Sequence, residues 1–149
     1  LKYSKQRNDK MKYVILVSHG TFAQGLHNAL GMLVGVKKEG IRSTGLLNGM
    51  SMELFEENFL SIVKDMGTED RIILLSDIIG GSPMTAALNI LNEKGFSKIS
   101  AFGGMNLAMG IAAVLEDDTD IERLRKIIIE DGRESTAEFD FEVSEDEDI

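Results

Sequence analysis

Short apolar runs alternate with amphipathic segments along most of the chain. The run over Tyr13–Val17 is continuous and rich in β-branched residues, which is typical of a strand buried on both faces. Apolar residues then recur at helical spacing from Phe22 to Leu33, and Gly35 ends this first predicted helix. A weaker strand is predicted from about Gly40 to Leu47. The pattern therefore begins as strand, helix, strand.

The same alternation continues towards the C-terminus. Ser51 is predicted to cap a second helix that Gly67 ends, and Arg71–Asp77 is the clearest strand. Ser82 is a natural N-cap for a third helix, with Pro83 at the first helical position. The remaining predicted elements are a strand over Lys98–Phe102, a helix over Leu107–Leu115, and a helix that a capping box at Thr119 and Glu122 opens and Gly132 closes.

Strands that alternate with helices at this spacing predict a doubly wound α/β fold. Right-handed crossovers give a mostly parallel sheet, of order about 2-1-3-4, with helices on both faces. The alternating segment Ala137–Val143 predicts an edge strand that would join the sheet antiparallel or cross to a neighbouring subunit. We therefore interpret residues 1–11 as a leader outside the fold, 12–135 as one domain, and 136–149 as an edge strand with an acidic tail.

Composition and charge exclude several classes of protein. No apolar stretch approaches the roughly 20 residues needed to span a bilayer, and no secretory signal peptide is visible, so we expect a cytoplasmic protein. The formal net charge of -9 repels nucleic acid and anionic lipid. No cysteine and only two histidines argue against a metal centre, and no Gly-rich nucleotide-binding motif is present. We expect no metal and no cofactor.

Two predicted strand ends carry the candidate chemistry. Ligands of doubly wound sheets bind beyond the carboxyl ends of the strands, where the strand order reverses. His19 follows the first strand and Asp77 ends the third, so this order places the two side chains opposite each other. A neutral imidazole can attack through one nitrogen while a carboxylate accepts the proton on the other. The pair therefore suits nucleophilic catalysis.

A glycine-rich turn beside this pair predicts an anion site. Backbone N–H groups of Gly80, Gly81 and Ser82 at a helix N-terminus could hold a phosphoryl group, and together with the imidazole they describe a phosphohistidine carrier. Ser82 has helix capping as its default role. His27 is interpreted as a solvent-exposed residue of the first helix, and Gly103–Asn106 as either a pocket wall or a plain turn.

Four segments, taken with their joint spacing, resemble the motifs of one known family. They are VILVSHGTFAQGL over Val14–Leu26, LLSDIIGGSPMTAA over Leu74–Ala87, GGMNLAM over Gly103–Met109, and DGRES over Asp131–Ser135. In this order they resemble the active-site histidine segment, the D-x-x-G-G-S-P stretch, the G-x-N-x-P-M segment and a shared helix end of the IIA component of the mannose-class (mannose, fructose, sorbose) sugar phosphotransferase system. Ala108 departs from a frequent proline of that family, and Ile79 from a position where tryptophan can occur.

The resemblance implies a phosphotransferase. His19 would accept a phosphoryl group from phospho-HPr and pass it to a IIB component, which phosphorylates sugar during uptake through the membrane subunits IIC and IID. Asp77 would be the partner of the imidazole, and Ser82 with neighbouring amides would hold the phosphate. The resemblance also implies a flavodoxin-like sheet and a homodimer that exchanges C-terminal strands.

Two other functions stay open at this point. The phosphoryl donor subunit of a dihydroxyacetone kinase has a similar domain and histidine, although such domains tend towards S-H-S where this chain has Ser18, His19 and Gly20. A non-catalytic flavodoxin-like binding module is the second alternative, and it predicts no covalent phosphate. The sequence leaves open the transported sugar and the imidazole nitrogen that carries phosphate.

Overall fold

A four-stranded parallel sheet forms the centre of the computed structural model, which describes residues 10–35 and 40–142. The hydrogen-bonded order is β2-β1-β3-β4, and every neighbouring pair is parallel. The strands are β1 (Lys12–His19), β2 (Ile41–Leu46), β3 (Arg71–Ser76) and β4 (Ile99–Phe102). This order confirms the sequence-based prediction, and its reversal point lies between β1 and β3.

Helices cover both faces of the sheet, because alternate strand residues point to opposite sides. Ile15 and Val17 belong to a core formed with α2 and α3, whereas Val14 and Leu16 belong to a core formed with α1, α4 and α5. The helices are α1 (Phe22–Val34), α2 (Met52–Val63), α3 (Ser82–Glu93), α4 (Leu107–Leu115) and α5 (Ile121–Glu134). The fold is doubly wound and flavodoxin-like, as expected.

Two predicted N-caps are wrong by one residue. Gly81, rather than Ser82, is the N-cap of α3, because the carbonyl of Gly81 already accepts the N–H of Thr85 and Ser82 is the first helical residue. Asp120, rather than Thr119, caps α5, and its carboxylate accepts the N–H of Arg123 at 3.1 Å. In both helices the N-cap is the residue next to the predicted one, and its backbone has the extended conformation typical of an N-cap.

Two predicted helix ends also differ from the structure. Helix α2 ends at Val63, before Gly67. Helix α5 continues past Gly132 to Glu134, and Gly132 serves packing instead of termination. A Cβ atom at position 132 would lie 2.5 Å from Cγ of Met109, so the glycine lets α5 approach α4 closely.

Two observations concern the predicted boundaries at the chain ends. Met11, assigned to the leader, is hydrogen-bonded to the domain, because its N–H donates to Asp70 at 2.9 Å and its carbonyl accepts the N–H of Arg71. Residues 137–142 form no antiparallel edge strand within this chain, and Phe139 and Phe141 are 80% and 78% exposed. The alternative, in which this segment crosses to a neighbouring subunit, stays a prediction, because a strand needs a neighbouring strand to pair with. Residues 1–9, 36–39 and 143–149 lie outside the described residues.

Candidate active site

His19 and Asp77 meet at the carboxyl ends of β1 and β3. His19 is the last residue of β1, and Asp77 directly follows β3, its neighbour in the sheet. Nδ1 of His19 lies 2.9 Å from Oδ2 of Asp77. The facing pair that the sequence predicted is therefore brought into hydrogen-bond contact.

Backbone groups fix the Asp77 carboxylate in place. The N–H of His19 donates to Oδ2 at 2.9 Å, and the N–H of Ile78 donates to Oδ1 at 2.8 Å. Burial alone raises the pKa of Asp77, but the hydrogen bonds from the His19 backbone, the His19 ring and the Ile78 backbone together lower that pKa below its ordinary value. Asp77 is thus an ionised acceptor at neutral pH.

The contact with Asp77 determines which imidazole nitrogen is nucleophilic. An ionised carboxylate only accepts hydrogen bonds, so Nδ1–H of His19 is the donor, and in the neutral imidazole the lone pair is then on Nε2. The His19 side chain is 47% exposed, whereas that of Asp77 is 15% exposed. The geometry therefore presents a nucleophilic nitrogen on the solvent side of a shielded carboxylate.

The glycine-rich turn supplies fewer free amides than predicted. The N–H of Gly81 donates to the carbonyl of Ile78, and the N–H of Gly80 contacts Sδ of Met84 at 3.3 Å. The N–H groups of Ser82 and Met84, in the first turn of α3, have no hydrogen-bond partner among the described residues. The predicted donor set of positions 80, 81 and 82 is corrected accordingly, and the side chain of Ser82 is exposed beside its own N–H.

Gly81 lies directly against the imidazole. A Cβ atom at position 81 would be 3.3 Å from Cε1 of His19. The start of α3, with its positive dipole end, therefore lies close to the histidine. The structure brings the predicted histidine, carboxylate and helix start together at one point.

A second loop borders His19 and was missed in the sequence. An open pocket of about 390 Å³ is lined by Leu46 at the end of β2, by the following loop residues 47–50, and by His19 and Gly20. Asn48 is a neutral hydrogen-bonding side chain in this lining. The available signal was topological: this loop follows a strand adjacent to β1 at the same edge of the sheet.

The Gly103–Asn106 segment is hydrogen-bonded to the end of β3 and to Asp77. The N–H of Gly104 donates to the carbonyl of Asp77 at 3.1 Å, and the N–H of Met105 donates to that of Ser76 at 2.9 Å. A Cβ atom at position 103 would lie 2.5 Å from Cα of Ile79, so the glycine allows the two loops to pack. This segment is a support for the end of β3 rather than a plain turn.

His27 takes no part in the site. Its Nδ1 lies 2.7 Å from Oγ of Ser43, so the ring links α1 to β2. The prediction of a solvent-exposed residue is wrong, because the ring is partly buried and burial lowers its pKa. Among residues 10–35 and 40–142, no three His, Asp or Glu side chains are grouped so that they could hold a metal ion. In the same ranges, no helix is long and apolar enough to cross a membrane.

The fold and the site define a class of protein. An imidazole hydrogen-bonded to a carboxylate at the reversal point of a flavodoxin-like sheet is an arrangement suited to nucleophilic chemistry. The family model described as the PTS system fructose IIA component, EIIA-man, matches residues 13–129. The chain belongs to this family, which confirms the resemblance inferred from the sequence motifs.

Similar proteins of known family agree with this assignment. The chain is 28% identical over 94 residues to the PTS system fructose-specific EIIA component of Bacillus subtilis, a match that covers 63% of this chain and 62% of the relative. It is 27% identical over 123 residues to the mannose-specific EIIAB component of Escherichia coli K12, covering 81% of this chain and 37% of that protein. The chain thus spans less than two thirds of the length of either relative.

A solved structure shows the same fold. The phosphotransferase system component EIIA from Streptococcus agalactiae superimposes with a TM-score of 0.72 at 27% identity. The match covers 87% of this chain and 98% of that one. The parallel sheet and its helices are therefore shared with an EIIA component.

Proposed function

We propose that the chain is a phosphohistidine carrier of the sugar phosphotransferase system. His19 accepts a phosphoryl group from phospho-HPr and passes it to a IIB component that serves membrane IIC and IID subunits. The observation that carries this proposal is the 2.9 Å contact between Nδ1 of His19 and Asp77, which leaves Nε2 free at an exposed edge. Membership in a family of PTS IIA components supports the same reaction. On this proposal the protein works in the cytoplasm.

The transfer step balances without a cofactor. The lone pair on Nε2 of His19 attacks phosphorus and forms an N–P bond, while the N–P bond to the donor histidine breaks and its electron pair returns to that imidazole. The proton on Nδ1 stays in place, and the positive charge that develops on the ring of His19 faces the Asp77 carboxylate. Transfer to the IIB component repeats these events with His19 as the leaving group.

The start of α3 is proposed to hold the phosphoryl oxygens. The N–H groups of Ser82 and Met84 are without partners among the described residues, and the helix dipole favours an anion there. The hydroxyl of Ser82 adds a donor at the same helix start. Gly81 has no side chain to fill the space beside the imidazole, where a Cβ atom would lie 3.3 Å from Cε1 of His19, so the helix start can lie within reach of the phosphorylated ring.

The surroundings of His19 fit protein partners better than a small molecule. The pocket beside the imidazole is open, and exposed apolar side chains lie on the loops and helix start around it. These side chains are Phe22, Leu47, Ile78 and Ile79. Exposed apolar residues grouped around a reactive group indicate a docking surface for another protein. The donor and the acceptor would both cover this surface.

The C-terminal segment is proposed to complete a homodimer. Phe139 and Phe141 lie two positions apart, so both would face the same side if this segment formed a strand. Strand β4 is the edge of the sheet, and an apolar groove of about 630 Å³ beside it includes Phe102, Met109 and Ile129. If the tail of each protomer pairs with β4 of the other, the two phenylalanines of each tail become buried and the β4 edge of each sheet is covered.

Intact mass spectrometry tests the carrier function directly. The protein and its His19→Ala variant are incubated with phosphoenolpyruvate, enzyme I and HPr, and then analysed before and after brief acid treatment. We expect one acid-labile phosphoryl adduct on the native chain and none on the variant, while the circular dichroism of both stays the same. An adduct on the variant, or no adduct on the native chain beside phosphorylated HPr, would contradict the proposal.

A further inference from the structure

Ser18 is a buried hydroxyl that the proposed chemistry does not use. It precedes His19 in β1 and is fully buried. Its Oγ accepts the backbone N–H of Ala23, in the first turn of α1, at 2.7 Å. A hydroxyl of β1 is therefore hydrogen-bonded to the start of α1, and His19 lies in the short segment between the two bonded residues.

This hydrogen bond replaces the usual N-cap of α1. Thr21 occupies the N-cap position, but its ψ of 14° is not extended and its side chain makes no capping hydrogen bond. The hydroxyl of Ser18, three residues earlier, satisfies the N–H that an N-cap residue would normally bind. The beginning of α1 is thus anchored to the end of β1.

The segment between Ser18 and Ala23 contains His19 and is held by hydrogen bonds to several elements. The N–H of His19 is bonded to Asp77, and the N–H of Gly20 donates to the carbonyl of Leu46 at 2.8 Å. These contacts fix the segment to β3 and β2, but neither fixes it to α1. Gly20 itself has a φ of +57°, a left-handed conformation that glycine adopts without strain. The hydrogen bond between Ser18 and Ala23 joins this segment to the start of α1.

We propose that Ser18 is a positioning residue for His19, an inference that rests on the proposed function. By tying α1 to β1, the hydroxyl keeps the imidazole at the angle at which Nδ1 meets Asp77 and Nε2 faces the phosphoryl donor. Ser18 touches neither phosphate nor partner. Its role is to limit the motion of the segment that carries the reacting nitrogen.

The first test compares Ser18→Ala with Ser18→Thr. The alanine variant loses the acceptor, and we expect the rate of phosphoryl transfer from phospho-HPr to fall about 10-fold to 100-fold, as small misplacements of reacting groups do. The KM for phospho-HPr stays unchanged, because the docking surface is intact. The threonine variant keeps a hydroxyl and is expected to restore most of the rate. Should the alanine variant fail to fold, Ser18→Cys, which retains a weak acceptor, takes its place.

A matched control separates positioning from general loss of stability. Ser100 is also a buried serine, and its Oγ accepts Nε of Arg125 at 3.1 Å, in β4 and away from His19. We expect Ser100→Ala to lower the melting temperature with no change in transfer rate. Equal losses of rate in the two alanine variants would overturn the proposal.

A spectroscopic readout tests positioning without relying on the reaction. In protein labelled with ¹⁵N-histidine, the Nδ1–H signal of His19 is expected to broaden in Ser18→Ala and to keep its native position in Ser18→Thr and Ser100→Ala. An unchanged signal together with an unchanged rate in Ser18→Ala overturns the role of Ser18 while leaving the carrier function intact. If the native chain accepts no phosphoryl group, the proposed function fails, and the signal alone decides the role of Ser18.

Discussion

Asp77 is the residue whose charge the proposed reaction needs most. Asp77→Asn keeps the shape of the side chain but can donate to Nδ1, which favours the wrong imidazole tautomer. We expect transfer to slow by about 100-fold or more, measured by rapid quench with phospho-HPr. Asp65→Asn is the control, since Asp65 follows α2 and its carboxylate pairs at 3.0 Å with Arg42 near the start of β2, outside the site. Equal rates for native protein and Asp77→Asn would refute the orienting role.

The same carboxylate links stability to pH. The pKa of Asp77 is lowered in the folded chain from its ordinary 3.8, so its ionised form stabilises the fold above that pH, and this stabilisation is lost as pH falls through the lower folded value. Urea unfolding of the native chain and of Asp77→Asn should therefore differ most near neutral pH, and the difference should narrow below about pH 4. A difference that is constant with pH would contradict this linkage.

The residues of the site could be predicted only where the topology determined them. His19 and Asp77 end adjacent strands, so the strand order sufficed to place them together. The free amides could not be predicted, because the acceptors that occupy the N–H groups of Gly80 and Gly81 are a sulfur atom and a carbonyl brought there by the folded turn. Asn48 was missed because a weak strand precedes its loop and the loop has no motif.

Among the elements, the turn between β3 and α3 has the strictest backbone requirement. Gly80 has a φ of +75°, a conformation that costs an L-residue about 1–2 kcal/mol. Gly80→Ala should destabilise the protein by about that amount and disturb the helix start beside His19. Gly25→Ala, on the exposed face of α1 with open space around its Cβ position, should stabilise by about 0.5–1 kcal/mol. Urea unfolding of both variants checks the opposite signs, and a stabilised Gly80→Ala would contradict the argument.

The strands and helices could be predicted from the hydrophobic periodicity of the sequence, whereas several helix ends could not. Continuous apolar runs such as Ile72–Leu75 are buried on both faces, which is typical of strands at the centre of a parallel sheet. Caps depend on single hydrogen bonds, so adjacent polar residues such as Thr119 and Asp120 compete for one helix N-terminus. Gly132 was misassigned because a glycine required for helix packing has the same sequence signal as one that ends a helix.

At the scale of the whole molecule, the tail is expected to determine the assembly. Replacing Phe139 and Phe141 together with serine removes the apolar groups proposed to pair with β4 of a partner, so we expect the native chain to be a dimer and the double variant a monomer in light scattering. Leu115→Ser is the control, since Leu115 is also an exposed apolar residue but lies at the end of α4. A native chain that is already monomeric, or a double variant that remains dimeric, would rule out this interface.

The contact between His19 and Asp77 joins residues that are 58 positions apart in the chain. In β1 and β3, Val17 lies opposite Ser76, and the contact is made just beyond this pair. A slip of β1 by one position would turn His19 to the other face of the sheet and separate the nucleophile from its carboxylate. On the proposed function, molecules with the wrong strand register would be unable to accept a phosphoryl group. The fraction of chains that become phosphorylated would then measure the fraction with the correct register and could serve as a folding assay.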